Sequence, residues 1–274
     1  DSAVFFGITY AKIIIYGTFG LILFGAAAPI ASMLAERYSR RLLLIIFPYG
    51  VGLSSIFAGA SQNLLQLGIC LSLIGLFASI YHPVGIAMLM KNKANLGFRL
   101  GLNGVWGNMG VAAAPLITGF LILLGNWRLA FILPGAACLL FGLWLIHSKY
   151  DGYQNSMKGK GQIDIETFSQ GWERAMLSLV LITVAGGFTF GALTFLIPRY
   201  FEIYLSGISE NIAITGLLAA SIYAVASFSQ IISGWIIDRR EYKGILLFIG
   251  FVTCNPVSTP VFSFVIDILS NSDL

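Results

Sequence analysis

The sequence predicts an all-α integral membrane protein of about eight transmembrane helices. Three observations carry that prediction: the scarcity of charge, the length of the charge-free intervals, and the uneven division of lysine and arginine between them. Of 274 residues, 57% are hydrophobic and only 10% charged, against about 25% charged in soluble domains. Mean hydropathy is +0.86, and a water-soluble fold of this length has too little interior to hide so much apolar surface.

The charge-free intervals run from Ile13 to Ala35, Leu42 to Met90, Leu100 to Trp127, Leu129 to Ser148, Ala175 to Pro198, Asn211 to Ile237 and Gly244 to Ile266. A helix crosses the hydrocarbon core in about 20 apolar residues, so six of these intervals hold one helix each. The second is twice that length and must fold back, at the polar Ser61-Gln62-Asn63 turn. Eight spans result. Strands of a membrane barrel would be short and alternating, a pattern missing from this sequence.

Short connections force the spans to alternate sides. One set of connections and helix ends then holds Arg37, Arg40, Arg41, Lys91, Lys93, Arg99, Lys149, Lys158, Lys160, Arg174, Arg239, Arg240 and Lys243. The other holds only Lys12, Arg128 and Arg199. The excess of lysine and arginine assigns the first set to the cytoplasm. This also accounts for the net charge of +4 without a nucleic-acid partner. The polar, glycine-bearing stretch 148–171 reads as a cytoplasmic linker between a bundle at 1–147 and a second at 172–274. Cys70, Cys138 and Cys254 sit in apolar runs without metal or disulfide spacing and read as small packing residues.

Two segments repeat. Ser32, three apolar residues, Glu36-Arg37 and then Arg40-Arg41 lie between the first and second spans. Gly234, three apolar residues, Asp238-Arg239-Arg240 and then Lys243 lie between the seventh and eighth. Duplicated multi-helix units characterise many transporter folds, whose substrate site lies at the repeat interface. Physically, the small residue lets helices touch, and the acid can face helix N-terminal amides or neighbouring arginines. Such charge pairs can close a cytoplasmic seam and release it. The competing reading makes Arg37, Arg40 and Arg41 topology anchors only.

These two copies resemble the major facilitator superfamily, whose signature is a G-x-x-x-D-R-x-G-R-R/K loop after its second helix, echoed after its eighth. The first copy departs at Ser32, Glu36 and Ser39; the second departs at Glu241 and Tyr242. The resemblance numbers the spans as helices 2 to 9 of twelve, with helix 1 expected before Asp1 and helices 10 to 12 after Leu274. It extends to Ser79-Ile80-Tyr81-His82-Pro83-Val84-Gly85, to Gly104-Val105-Trp106-Gly107-Asn108 with Gly110 and Pro115, and to Asn126-Trp127-Arg128. There the chain looks like the fosmidomycin-resistance-type exporters. The resemblance implies two bundles rocking about a central cavity in a bacterial inner membrane. It also implies gates at Ser32, Glu36, Arg37, Arg40, Arg41, Gly234, Asp238, Arg239 and Lys243.

His82 is the one ionisable side chain deep within a predicted span. Such groups are costly in a membrane and face the bundle interior, and a histidine can change charge near neutral pH. Gly68, Ser72, Gly75, Ser79 and His82 recur at spacings of four and three, making one small, polar face. His82 is therefore either a substrate or proton contact, or an imidazole bonded to a neighbour beside a Pro83 kink. Tyr81, Asn103, Trp106, Tyr223 and Gln230 are further candidates for the cavity wall, with helix packing as their alternative. No P-loop, G-x-S-x-G elbow or metal-ligand cluster is present in the sequence, so neither an enzyme nor a cofactor is expected. The expectation is secondary transport of a small organic molecule, proton-coupled and directed outward. Uptake of a metabolite or a non-transporting membrane scaffold are the alternatives.

Overall fold

The computed structural model describes residues 5–90, 94–124, 126–148 and 212–239, together with scattered helical positions from 173 to 201. Helices α1 (Tyr10–Ala26), α2 (Ala28–Arg37), α3 (Arg40–Ala60), α4 (Leu64–Ala78), α5 (Tyr81–Leu89), α6 (Leu96–Leu123), α7 (Leu129–His147) and α8 (Ile212–Arg239) are the regular elements delimited among these residues. Five are long and apolar enough to cross a membrane, counting α4 and α5 together as one, and six if the bent pair α1 and α2 is also one span. They coincide with the first five and the seventh of the predicted spans. The predicted span Ala175–Pro198 is described only at scattered positions. The predicted span Gly244–Ile266 and residues 149–171 of the predicted linker lie outside the described residues.

The fold-back at Ser61-Gln62-Asn63 is built from capping chemistry. The Ser61 hydroxyl donates to the Ala58 carbonyl at 2.7 Å, taking up an acceptor freed at the end of α3. Asn63 opens α4: its side-chain oxygen accepts from the Gln66 amide at 2.9 Å. Gln66 Oε1 reaches back to accept from the Gln62 amide at 2.8 Å. Each polar residue of the turn thus satisfies a backbone group that a helix end leaves unpaired.

One predicted span is bent, and another carries a local turn within a single span. The first span bends by 43° where α1 gives way to α2 at Ala27, and the third turns locally at Ser79-Ile80 between α4 and α5. A proline follows each point by two or three residues, Pro29 and Pro83, and removes a backbone donor from the helical ladder.

The chain groups into two compact units. In the unit that falls within Asp1–Lys91 and Met109–Ala224, α3 and α7 pack closely. A Cβ on Gly52 would lie 2.8 Å from the Gly135 carbonyl oxygen, so only glycine allows this approach. Ser55 Oγ donates to the Phe131 carbonyl at 2.7 Å. The pair is antiparallel and fastened at both ends by arginine. Arg41, from the first turn of α3, donates Nη2 to the Ile146 and Ser148 carbonyls at 3.3 and 3.2 Å. Arg128, preceding α7, donates Nη1 to the Gly59 and Ser61 carbonyls at 2.7 and 2.9 Å. Each guanidinium satisfies the freed carbonyls at the other helix's C-terminus, where a cation is also favoured by the helix dipole. The charge count had assigned the Arg41 and Ser148 ends to one side and the Arg128 and Gly59 ends to the other. The hydrogen bonds join the same ends.

Candidate functional site

The second motif copy lies in the unit of residues that fall within Asn92–Asn108 and Val225–Leu274. Asp238, at the last turn of α8, faces the first turn of α6. Its Oδ1 accepts from the Gly97 amide and its Oδ2 from the Phe98 amide, each at 2.7 Å. Both amides belong to the first helical turn and have no intrahelical acceptor. The carboxylate therefore makes two charge-assisted bonds at the positive end of a helix dipole. Asn95, with φ of +50°, takes the left-handed conformation that asparagine tolerates and turns the chain into α6.

Glycine makes this cap possible. A Cβ on Gly234 would run into the Gly97 carbonyl oxygen, and a Cβ on Gly97 into the Gly234 oxygen. One turn further along, Gly101 faces the Gln230 backbone, and the Gln230 side-chain oxygen lies over Gly104. Gly97, Gly101 and Gly104 follow the spacing of one helix face. Gly234, Asp238 and Gln230, singled out from sequence, are thus gathered on one antiparallel seam with α6. Arg239 lies on the Trp235 ring at 4.3 Å, a cation–π contact rather than a bond to Asp238. Lys243 lies outside the described residues.

The first copy is arranged differently. Ser32 is half-buried on α2, while Glu36 and Arg37 are exposed at its end. Among the described residues Glu36 has no hydrogen-bond or ionic partner, and Arg37 lies 5.8 Å from the Tyr38 ring. Arg40 opens α3, and Arg41 binds the end of α7 as described above.

His82 lies in the first turn of α5 and is exposed. Its ring meets Phe24 edge-on at 5.6 Å and Tyr81 at 5.7 Å, and Tyr81 also packs on Phe47 at 5.5 Å. The small face predicted to lead up to it is divided. A Cβ on Gly75 would run into the Gly20 carbonyl, and one on Gly68 would come 2.8 Å from Tyr16, so this stretch of α4 packs against α1. Ser72 and Ser79 donate to the carbonyls of Gly68 and Leu76 on their own helix at 2.8 and 2.6 Å. The local turn at Ser79-Ile80 then separates the packing face from His82.

The remaining candidates differ in burial. Trp106 is 72% exposed on α6, whereas Tyr223 is 7% exposed, packs with Ala112 and Ala220, and donates its hydroxyl to the Leu193 carbonyl at 3.1 Å. Asn103 is half-buried one residue before Gly104. Sequence reasoning missed four participants: the Gly97 and Phe98 amides, Phe24, and Arg128 as a helix clamp. Backbone donors leave no trace in residue type, and Phe24 is one phenylalanine of 21. Arg128 is flanked by Trp127 and lies 4.9 Å from the Phe5 ring, a grouping that only the fold assembles.

The family model described as Major Facilitator Superfamily matches residues 3–267. The chain belongs to the major facilitator superfamily. Multidrug resistance protein MdtG of Escherichia fergusonii is 28% identical over 73% of this chain and 50% of its own length. Its counterpart in Yersinia enterocolitica is 26% identical over 73% of this chain and 49% of its own. A probable hexose phosphate transport protein of Chlamydia pneumoniae is 26% identical over 54% of this chain and 33% of its own. The chain thus spans half or less of the length of these relatives. Family membership and the apolar helices together make it an all-α integral membrane protein of a transporter superfamily.

Proposed function

We propose that the chain belongs to a secondary transporter that exports a small organic molecule in exchange for protons, by alternating access across a bacterial cell membrane. The Asp238 carboxylate on the Gly97 and Phe98 amides carries the reading. It is a charge–dipole lock between helix ends on the side rich in lysine and arginine. It can part without breaking a covalent or buried ionic bond, as a cytoplasmic gate requires. Glu36 is the corresponding acid of the first gate, with Ser32, Arg37 and Arg40 beside it.

Two of the three relatives are multidrug resistance proteins by name, which supports export. The hexose phosphate relative favours uptake of an anionic sugar instead. Exposed Trp106 and Tyr81 offer apolar and aromatic surface suited to a lipophilic cargo. In this reading His82 takes up and releases the coupling proton, and Tyr81, Asn103, Trp106, Tyr223 and Gln230 contribute to the cargo's path.

The test uses vesicles holding the whole native protein, with ethidium and glucose 6-phosphate as alternative probes. Ethidium movement driven by an imposed pH gradient and abolished by a protonophore is expected. Ethidium movement indifferent to the gradient would remove proton coupling, and glucose 6-phosphate movement alone would replace export by uptake. His82→Gln is expected to flatten the pH dependence of transport. An unchanged rate and profile would remove His82 from the mechanism.

A further inference from the structure

His82 has no hydrogen-bond or ionic partner among the described residues, and aromatic rings take that place. Phe24, in the last turn of α1, meets the imidazole at 5.6 Å and 82°. Tyr81 meets it from its own helix at 5.7 Å and 71°. Rings set this way meet edge to face, the arrangement that aromatic quadrupoles favour over a sandwich. Both distances also fall within the ~6 Å at which a ring attracts a cation.

The two rings are anchored differently. Tyr81 rests on Phe47 at 5.5 Å, and Phe47 packs against the buried cluster of Ala31, Ala35, Leu43, Ile80 and Val84. That cluster draws on α2, α3 and the start of α5, so it fixes the backbone that carries His82. Phe24 is half-buried and belongs to neither buried cluster of the described residues. Its ring lies against the imidazole without filling the core.

The charged and titratable groups on the surrounding helices are engaged elsewhere or distant. On α1, Tyr16 lies over Gly68, and Lys12 is about 18 Å along the helix from Phe24. On α2, Glu36 is about 18 Å from Phe24 in the other direction, with Arg37 beside it. On α3, Arg41 binds the end of α7 and Tyr49 lies over Gly142 of α7. Arg40 is roughly 10 Å along α3 from Phe47. Among the described residues, no carboxylate stands beside His82 to hold a charged imidazole.

We infer that Phe24 is the positioning residue of His82: with Tyr81, its ring holds the imidazole in one orientation and supports it when it carries a proton. An imidazole alone on an exposed helix face would turn about its side-chain bonds. Two near-perpendicular neighbours, one of them on another helix, restrict that rotation and keep its two unlike nitrogens aimed one way. The inference deepens the proton-coupled reading and rests on it, because it names what holds the proposed proton carrier.

The whole native protein in vesicles, isotope-labelled at histidine, tests it by solid-state NMR. The His82 ring signals are those lost in His82→Gln. Phe24→Leu keeps apolar bulk without a ring and is expected to move these signals. Phe24→Tyr keeps the ring and is expected to leave them in place. In the same vesicles, Phe24→Leu is expected to move the pH of half-maximal ethidium transport toward acid by about half a unit. Phe24→Tyr is expected to restore it. Ring signals that Phe24→Leu leaves unmoved overturn the inference at the contact itself. Moved signals with an unmoved pH profile, or a loss that Phe24→Tyr fails to restore, overturn the positioning role and leave the transporter reading standing. No gradient-driven ethidium movement by the unaltered protein removes the proton-coupled reading, and the role of Phe24 with it.

Discussion

The two copies of the repeated motif are alike in sequence and unlike in what they bind. In the second, Gly234 brings α8 against Gly97, and Asp238 closes two hydrogen bonds on the first turn of α6. In the first, Ser32 carries a Cβ, Glu36 is exposed, and the basic end of the motif does the binding, through Arg41 on the carbonyls that end α7. One copy uses its acid on a helix N-terminus; the other uses its base on a helix C-terminus. The same residue types thus serve opposite ends of the helix dipole. The glycine decides whether the backbone comes near enough for a short aspartate to reach.

The sharpest way to break this comparison is to add side chains at the small position. Gly234→Val places methyl groups where the Gly97 carbonyl lies, and overpacking of this kind costs about 2–3 kcal/mol. Ser32→Val adds little to a Cβ already accommodated and is expected to cost roughly 0.5 kcal/mol or less. Denaturant titration in mixed micelles measures both, and equal losses would show that the two copies pack alike after all.

A smaller effect is expected from the acids. Asp238→Ala removes a cap and its charge, a loss of about 1–2 kcal/mol, and hydrogen exchange at the Gly97 and Phe98 amides should quicken about tenfold. Glu36→Ala is expected to leave exchange throughout α6 unchanged. Acceleration there by the Glu36 variant would join two motifs that the hydrogen bonds keep distinct.

The smallest difference separates the two arginine clamps. Arg128→Ala is expected to cost about 1.5 kcal/mol and Arg41→Ala about 1 kcal/mol, because the Arg128 bonds are shorter and its guanidinium also lies on Phe5 and Trp127. Lysine at either position should recover part of the loss, since it keeps the charge but not the planar fork. A larger loss at Arg41 would make the motif copy, and not the outer clamp, the stronger tie between α3 and α7.

Much of this molecule was legible before any coordinate. Charge spacing located the spans because burying an ion in hydrocarbon is too costly to be placed at random. The Ser61-Gln62-Asn63 turn was legible for a related reason: only polar side chains can satisfy helix ends there. Gly234 and Asp238 stood out because a repeat marked them. The bend at Ala27 was half legible. Pro29 is visible as a residue, but Pro48, Pro115 and Pro134 stand within continuous helices. A proline removes one donor wherever it falls, and the packing around it decides whether the helix bends.

By itself, then, the sequence determined the class of the protein and the ends of its described helices. Those follow from solvation of single residues by lipid or water, which depends on what each residue is and not on its neighbours in space. The tertiary structure alone decided which acid finds a helix N-terminus, which arginine closes a helix C-terminus, and that His82 meets Phe24. These contacts join residues far apart in the chain, and backbone amides and carbonyls, identical at nearly every position, supply half of each bond.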